Sequence, residues 1–131
     1  MRIAFSSNAF RKYSLIETID ILADAGYKGI EIMCDIPHAY PPDLNKESIS
    51  GILQHLKERD MKISNLNAFM LTAIGDFHHP SWIEKDKAQR ELRINHTIGC
   101  VRLAAELGVA TISTEPGGPV DDMGMNRTEA M

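Results

Sequence analysis

The feature that most constrains the fold is a repeated order of elements: a strand, a polar loop, a helix and a short turn. Strand-like runs rich in apolar residues occur four times, at residues 2–7, 29–33, 61–67 and 109–114. A stretch with apolar residues at helical spacing follows each of the first three runs. Alternating strands and helices predict a parallel sheet with right-handed crossovers. The sequence therefore predicts the α/β class.

Capping patterns predict the limits of the first two helices. Ser14 and Glu17 match a capping box, in which each side chain accepts a hydrogen bond from a backbone amide at the helix start. Gly26 stands where the chain requires a positive φ to leave the helix. The second helix is predicted to start near Asn45 and to end at about Arg59.

A second capping box predicts the start of a third helix. Ser81 and Glu84 have the same spacing as the first box, and the helix is predicted to continue to Leu107, with Gly108 as its stop. A further capping pattern at residues 126–129 opens a fourth helix. The inner face of the third helix is predicted from apolar residues at helical spacing: Ile94, Ile98, Val101 and Ala105.

The loops differ in length and composition according to the element they follow. Loops after strands are long and contain His, Asp, Asn and Pro, whereas loops after helices have about two to four residues. This asymmetry is typical of a TIM barrel, whose function lies on one face. A full barrel needs about 250 residues, so four strand–helix units indicate half a barrel. A compact doubly wound sheet is the structural alternative.

Residues 1–131 are accordingly predicted to form the amino-terminal half of a TIM-barrel domain. Two explanations stay open at this point: the half is truncated, or another chain completes it, as in a homodimer. Either way the first and fourth strands would each present an open edge, which favours unwanted pairing unless something covers it.

Charge and cysteine content restrict the class of partner. The net charge is −4 and no basic run occurs, which argues against nucleic acid as a partner. Cys34 and Cys100 lie far apart without CxxC spacing, which indicates a reducing compartment. The amino terminus leads directly into a strand and shows no signal peptide, and no apolar run reaches the length of a membrane span. We expect a soluble, cytoplasmic protein with no membrane partner.

Glu115 is the predicted catalytic residue. It follows the fourth strand directly and precedes the loop at residues 116–119, where an α/β protein places its functional groups. Its carboxylate could ligate a metal, accept a hydrogen bond from a substrate, or transfer a proton next to a carbonyl. The alternative is a loop carboxylate that pairs with a backbone amide or an arginine.

Three further residues are predicted to bind substrate. Glu31 alternates with two isoleucines on the second strand, so a position inside the barrel would require a partner for its charge; a structural ion pair is the alternative. Asn67 ends the third strand and offers a donor and an acceptor to a sugar hydroxyl, or else caps its own loop. His38 lies in the loop after the second strand and could bind a phosphate, a hydroxyl or a metal; the alternative is a solvated histidine.

Several short segments, taken in order, resemble one family. The chain is similar to the xylose-isomerase-like TIM barrels, which include sugar phosphate isomerases and epimerases, inosose dehydratases, hydroxypyruvate isomerases, ketose 3-epimerases and endonuclease IV-type enzymes. The resemblance covers the whole chain but only the first half of the family's barrel. The segments that carry it are residues 5–8, 29–32, 38–44, 66–69 and 113–119.

The resemblance implies a site for a divalent metal (Mn, Mg or Zn) at the carboxyl end of the barrel. In the ketose epimerases the metal ligands are Glu, Asp, His and Glu from later strands, and two of these glutamates exchange protons with the substrate. This chain ends before those strands, so it offers no assignable metal ligand, and whether it is itself an enzyme stays open.

Three functions remain as hypotheses. The first is part of a metal-dependent sugar or sugar-phosphate isomerase or epimerase that abstracts a proton next to a carbonyl. The second is a non-catalytic half-barrel that binds a small polyol or a partner chain. The third is an endonuclease IV-like phosphodiesterase, which the net negative charge disfavours.

Overall fold

The strands form a parallel sheet in chain order. A computed structural model describes residues 3–76, 78–115 and 128, and within them the sheet order is β1-β2-β3-β4 with every neighbouring pair parallel. This arrangement confirms the predicted α/β class. The elements are β1 (Ala4–Ser6), α1 (Leu15–Asp24), β2 (Gly29–Met33), α2 (Lys46–Glu58), β3 (Lys62–Asn67), α3 (Lys87–Leu107) and β4 (Ile112–Ser113), with 3₁₀ helices at Ser7–Phe10 and Pro41–Asp43.

A bulge between β2 and β3 determines which side chains of these two strands are neighbours. Ile30 pairs with Ile63, but the next residue, Glu31, pairs with Asn65, so Ser64 is an extra residue on β3. A bulge of this kind shifts the alternation of side chains by one residue. As a result Asn65 lies beside Glu31 on one face of the sheet.

The helices cover the other face of the sheet and form the core with it. Ile30, Ile32 and Leu66 are fully buried and belong to one apolar cluster with helix residues. Burying each such side chain contributes about 1.5–3 kcal/mol. Helix residues in the cluster include Ile19, Leu22, Ile52, Leu56, Leu103 and Leu107. The described helices therefore leave the Glu31 face of the sheet uncovered.

The predicted limits of α1 and α2 are confirmed by their hydrogen bonds. The Ser14 hydroxyl accepts a hydrogen bond from the Glu17 amide at 3.2 Å, and the Glu17 carboxylate accepts one from the Ser14 amide at 2.8 Å. Gly26 follows the helix with φ of 88°. Asn45 caps α2, its side-chain oxygen accepting the Ser48 amide at 2.8 Å.

The predicted start of the third helix is wrong. The Ser81 amide does donate to the Glu84 carboxylate at 2.7 Å, but no helix follows, and α3 begins at Lys87 with Asp86 as its cap. Both side chains of the pair take part in a loop: the Glu84 carboxylate also accepts a hydrogen bond from the His79 ring at 2.7 Å, and the Ser81 hydroxyl accepts the Ile83 amide at 3.2 Å. The predicted end is confirmed, since Gly108 adopts φ of 68°.

The predicted inner face of the third helix is also wrong. Ile98 is 42% exposed and Val101 is 51% exposed, so this stripe points away from the core. The helix buries instead the residues that reach the sheet and its loops, several of which are polar: Arg93, His96, Cys100, Leu103, Ala104 and Leu107. Apolar periodicity failed here because buried polar groups with specific partners occupy half of the inner face.

The outer strands are shorter than predicted. Strand β1 has three residues and β4 has two, and within the described residues each pairs along one edge only. The predicted loop at residues 116–119 lies outside the described residues, as does the predicted helix start at 126–129 apart from residue 128. Of the helices in the described part of the chain, none combines the length and apolar character that crossing a membrane requires.

Candidate functional site

The uncovered face of the sheet carries polar side chains from all four strands. The Asn65 amide nitrogen lies 2.8 Å from a carboxylate oxygen of Glu31 and 2.8 Å from the Ser113 hydroxyl. Ser6 is the register partner of Glu31 on β1, which places it on the same face. We refer to these four residues, Ser6, Glu31, Asn65 and Ser113, as the polar row.

Glu31 has the partner that its position requires. Its side chain is half-buried and points away from the helix-facing isoleucines, and it accepts the hydrogen bond from Asn65. A carboxylate can accept about four hydrogen bonds, so this contact leaves capacity for the hydroxyl groups of a ligand. The geometry brings Glu31 together with Asn65 and Ser113 but does not test whether any of them binds substrate.

Asn67 uses its side chain to shape its own loop. Its side-chain oxygen accepts the Phe69 amide at 2.9 Å, and its backbone oxygen accepts the Cys34 amide at 2.8 Å. This is the loop-capping arrangement given above as the alternative to sugar binding. Asn67 is only 7% exposed, although it lies next to Ser113 in the sheet register.

Glu115 lies two residues after β4, at the edge of the sheet where the parallel strands end. It is exposed, and its backbone oxygen accepts a hydrogen bond from the Arg93 guanidinium at 2.6 Å. Arg93 also donates to the Thr114 hydroxyl at 3.1 Å. The contact to an arginine therefore goes through the backbone of Glu115, and the structure holds the residue at the rim of the sheet by its main chain.

Arg93 contacts both the loop after β3 and the chain that follows β4. It is 1% exposed, and its guanidinium carbon lies 5.6 Å from the centre of the Phe69 ring in the loop after β3. Burial lowers the pKa of Arg93, and the nearby charge of Glu115 acts in the opposite direction. An arginine remains protonated in proteins, so a buried positive charge lies next to the backbone of Glu115, the predicted catalytic residue. Sequence reasoning missed Arg93 because it resembles a solvated helix residue.

Asp35 joins the loops after β2 and β3. Its carboxylate is 1% exposed and accepts hydrogen bonds from the backbone amides of Ile36, Leu71, Thr72 and Ala73 at 2.6–3.0 Å. Such charge-assisted bonds are roughly twice as strong as neutral ones. The buried carboxylate of Asp35 therefore holds together the loops that follow β2 and β3, next to the polar row. In the sequence, Asp35 was one of many polar loop residues and carried no distinguishing signal.

His38 lies on the helix side of the molecule and is not part of the polar row. Its Nε2 atom lies 3.2 Å from the backbone oxygen of Tyr13, and the residue lines a cleft between α1 and α2. A backbone oxygen can only accept, so Nε2 carries the hydrogen and Nδ1 the lone pair. Burial lowers the pKa of His38, which favours the neutral ring.

The described residues do not provide a metal centre. Across 3–76 and 78–115, no three His, Cys, Asp or Glu side chains are grouped closely enough to hold an ion. The polar row contains one carboxylate, one amide and two hydroxyls, which is a set suited to hydrogen bonding with hydroxyl groups. Alternation along the strand places Asn65 on the same side as Asn67, but its position beside Glu31 depends on the bulge.

These features define a βα-barrel segment with polar groups on the inner face of its strands. The chain belongs to the family described as xylose isomerase-like TIM barrel, whose sequence profile matches residues 19–130. This finding confirms the resemblance and identifies the parallel four-stranded sheet with its described helices as part of a TIM-barrel fold. No curated protein matches the chain.

Several solved structures share the fold, among them the following three. A D-psicose 3-epimerase determined with D-fructose has a TM-score of 0.70 and 12% identity, over 99% of this chain and 43% of that one. A probable 3-DHS dehydratase from Bacillus anthracis has a TM-score of 0.58 and 18% identity, over 87% and 38%. An AP endonuclease of family 2 from Brucella melitensis has a TM-score of 0.64 and 19% identity, over 99% and 45%. The chain thus spans less than half the length of each.

Proposed function

We propose that the chain is the amino-terminal half of a sugar or sugar-phosphate isomerase or epimerase, which abstracts a proton next to a carbonyl. The observation that carries this proposal is the polar row, which lines the uncovered face of the sheet with groups that bind hydroxyls. The similarity to a D-psicose 3-epimerase determined with D-fructose supports it. The net charge of −4 gives no support to the endonuclease alternative.

The polar row can recognise a polyol with complementary groups. Asn65 directs its amide nitrogen at Glu31 and Ser113, which leaves its side-chain oxygen to accept a hydrogen bond from a substrate hydroxyl. Glu31 accepts from a second hydroxyl, and Ser113 can donate or accept. Several adjacent hydroxyl groups on one ligand therefore match this face better than an apolar ligand does.

Glu115 is proposed as the group that moves the proton. A carboxylate at the carboxyl end of a parallel strand has the reach for a substrate lying over the barrel. Arg93 holds the Glu115 backbone and so limits how far this carboxylate can move. A bound divalent metal would supply polarisation of the carbonyl, but the described residues contain no cluster of three or more His, Cys, Asp or Glu side chains that could hold it.

The proposal is tested by proton exchange in the full-length protein. The protein is incubated in D₂O with Mn²⁺ and D-fructose, then with other ketoses and ketose phosphates, and loss of the signal from the proton next to the carbonyl is followed by NMR. Glu115→Gln should lower the exchange rate by about 10²–10⁴-fold, the usual contribution of a positioned acid or base. Glu31→Gln should mainly raise KM, because it removes an acceptor for a substrate hydroxyl.

Glu58→Gln is the matched control, since Glu58 is an exposed glutamate on α2 away from the polar row. It should exchange at the rate of the unchanged protein. The proposal fails if no substrate loses its proton, or if Glu115→Gln exchanges as fast as the control. Binding of a polyol without exchange would favour the non-catalytic half-barrel.

A further inference from the structure

A second cleft lies in the helix layer, away from the polar row. It has a volume of about 650 Å³ and is lined by residues of α2, of α3 and of the chain from Tyr40 to Lys46. Clefts of about 300–1,000 Å³ are the usual size for small-molecule sites. Most of its lining is apolar, including Pro41, Pro42, Leu44, Ile49, Leu92 and Leu103.

Two stacked rings form a flat, fixed part of the lining. The rings of Tyr40 and His96 lie 5.9 Å apart at 24° to each other. His96 is only 7% exposed, and its Nε2 atom lies 3.5 Å from the buried Cys100 sulfur. These contacts hold the ring pair in place, and an aromatic ligand can add to such rings in an offset-stacked or edge-to-face arrangement.

The approach of α3 to the Tyr40–Lys46 segment depends on a glycine. A Cβ atom at Gly99 would lie 3.3 Å from the Cβ of Pro41, which is tighter than an ordinary contact. Gly99 therefore lets the helix pack against this proline while the cleft beside it remains open. Because residue 99 is a glycine, it has no side chain that would occupy the cleft.

The rim of the cleft has more positive than negative charge. Lys46 and Arg102 line it together with the single acid Glu106, and none of the three forms an ion pair within the described residues. Lys46 is also the first residue of α2, so the partial positive charge of a helix start adds to the cations. The rim accordingly complements one negative charge.

We propose that this cleft binds a small aromatic carboxylate. The ring of the ligand lies on the Tyr40–His96 pair, and its carboxylate faces the cationic rim formed by Lys46 and Arg102. Apolar lining, stacked rings and one net positive charge together select a ligand that is flat, apolar and singly negative. The site is separate from the polar row, so this proposal does not depend on the proposed enzyme activity.

The test measures binding of 2-naphthoate to the full chain by NMR titration and calorimetry, with circular dichroism as the check on folding. Two relatives of the same shape serve as probes of charge: 2-naphthylmethanol is neutral and 2-naphthylmethylammonium is positive. Naphthoate should bind at least about fivefold more tightly than the alcohol, and the ammonium should bind most weakly. Shifted signals should belong to residues of the cleft.

Variants assign the charge preference to the rim. Lys46→Gln and Arg102→Gln should each weaken naphthoate binding by about threefold and together by about tenfold, as expected for partly exposed ion pairs. Lys57→Gln, on the same helix as Lys46 but outside the cleft, should leave binding unchanged.

The proposal is overturned if naphthoate does not bind, if it binds no better than the alcohol, or if the double variant binds it as tightly as the Lys57 control. It is also overturned if a second copy of the chain fills the cleft. In that case sedimentation would show a dimer whose dissociation exposes the same signals, and naphthoate would not bind to the dimer.

Discussion

Single buried polar residues determine how the loops at the strand ends are held. Asp35 fixes the loops after β2 and β3 through four backbone amides, and Arg93 fixes the end of β4 through the Glu115 backbone. Neither residue forms an observed hydrogen bond with the polar row. Both, however, position the loops that lie beside it. We therefore regard them as positioning residues, and we expect their substitution to affect the loops more strongly than the sheet.

Asp35→Asn should destabilise the protein and loosen the loop after β3. The substitution replaces one acceptor oxygen with an amide group that faces backbone amides, and it removes the charge that strengthens their hydrogen bonds. The free energy of unfolding should fall by about 2–3 kcal/mol, measured by urea denaturation. Hydrogen exchange at Leu71–Ala73 should accelerate first.

Asp43→Asn is the control for this substitution, because Asp43 is exposed in a neighbouring segment. It should change stability by no more than about 0.5 kcal/mol. Equal stability losses in the two variants would contradict the positioning role of Asp35.

At the level of the elements, the same local pattern gave two different structures. Ser14 with Glu17 starts a helix, whereas Ser81 with Glu84 does not, although the spacing is identical. In the second pair the Glu84 carboxylate is also bonded to the His79 ring and the Ser81 hydroxyl to the Ile83 amide, so both side chains take part in a loop. The spacing alone therefore does not decide whether a helix starts, because a single sequence does not show such loop partners.

The sequence predicted the order and type of elements because these depend on local periodicity and glycine positions. It failed on the inner face of α3, where Arg93, His96 and Cys100 are buried by specific partners, and on the alignment of Glu31 with Asn65. That alignment arises from the bulge at Ser64, which depends on pairing between distant strands. Alternation alone placed Glu31 on the opposite side of the strand from Ile30 and Ile32, but it could not identify the residue beside it.

Asp86 caps the start of α3, and its substitution tests how much this cap contributes to stability. Its side chain accepts the Gln89 amide at 3.0 Å, and Asp86→Ala should therefore lower the free energy of unfolding by about 1 kcal/mol. Asp86→Asn keeps a capping oxygen and should retain most of the stability. Urea denaturation of the two variants provides the comparison, and an equal loss in both would argue against a cap at this position.

At the scale of the whole molecule, the described sheet has two open edges and one face without a cover. The chain spans less than half the length of the similar solved structures, and in a closed barrel further strands pair with β1 and β4 and enclose the polar row. Closure of such a barrel has two consequences. It pairs both open strand edges, and it places the polar row inside the barrel. In a closed barrel, stability and the enclosure of the polar row therefore depend on the same strand pairs.

The 131-residue chain by itself should associate through the edge of β1. Ile3 borders this strand and is 56% exposed, and open strand edges favour pairing with another chain. Ile3→Lys should weaken association by about tenfold or more, because burial of an isoleucine contributes about 1.5–3 kcal/mol. Ile21→Lys places the same charge on α1, where Ile21 is 38% exposed, and should associate like the unchanged chain. Light scattering over a range of concentrations measures all three. Association that is equally strong in both variants would exclude the β1 edge and leave β4 as the edge to test.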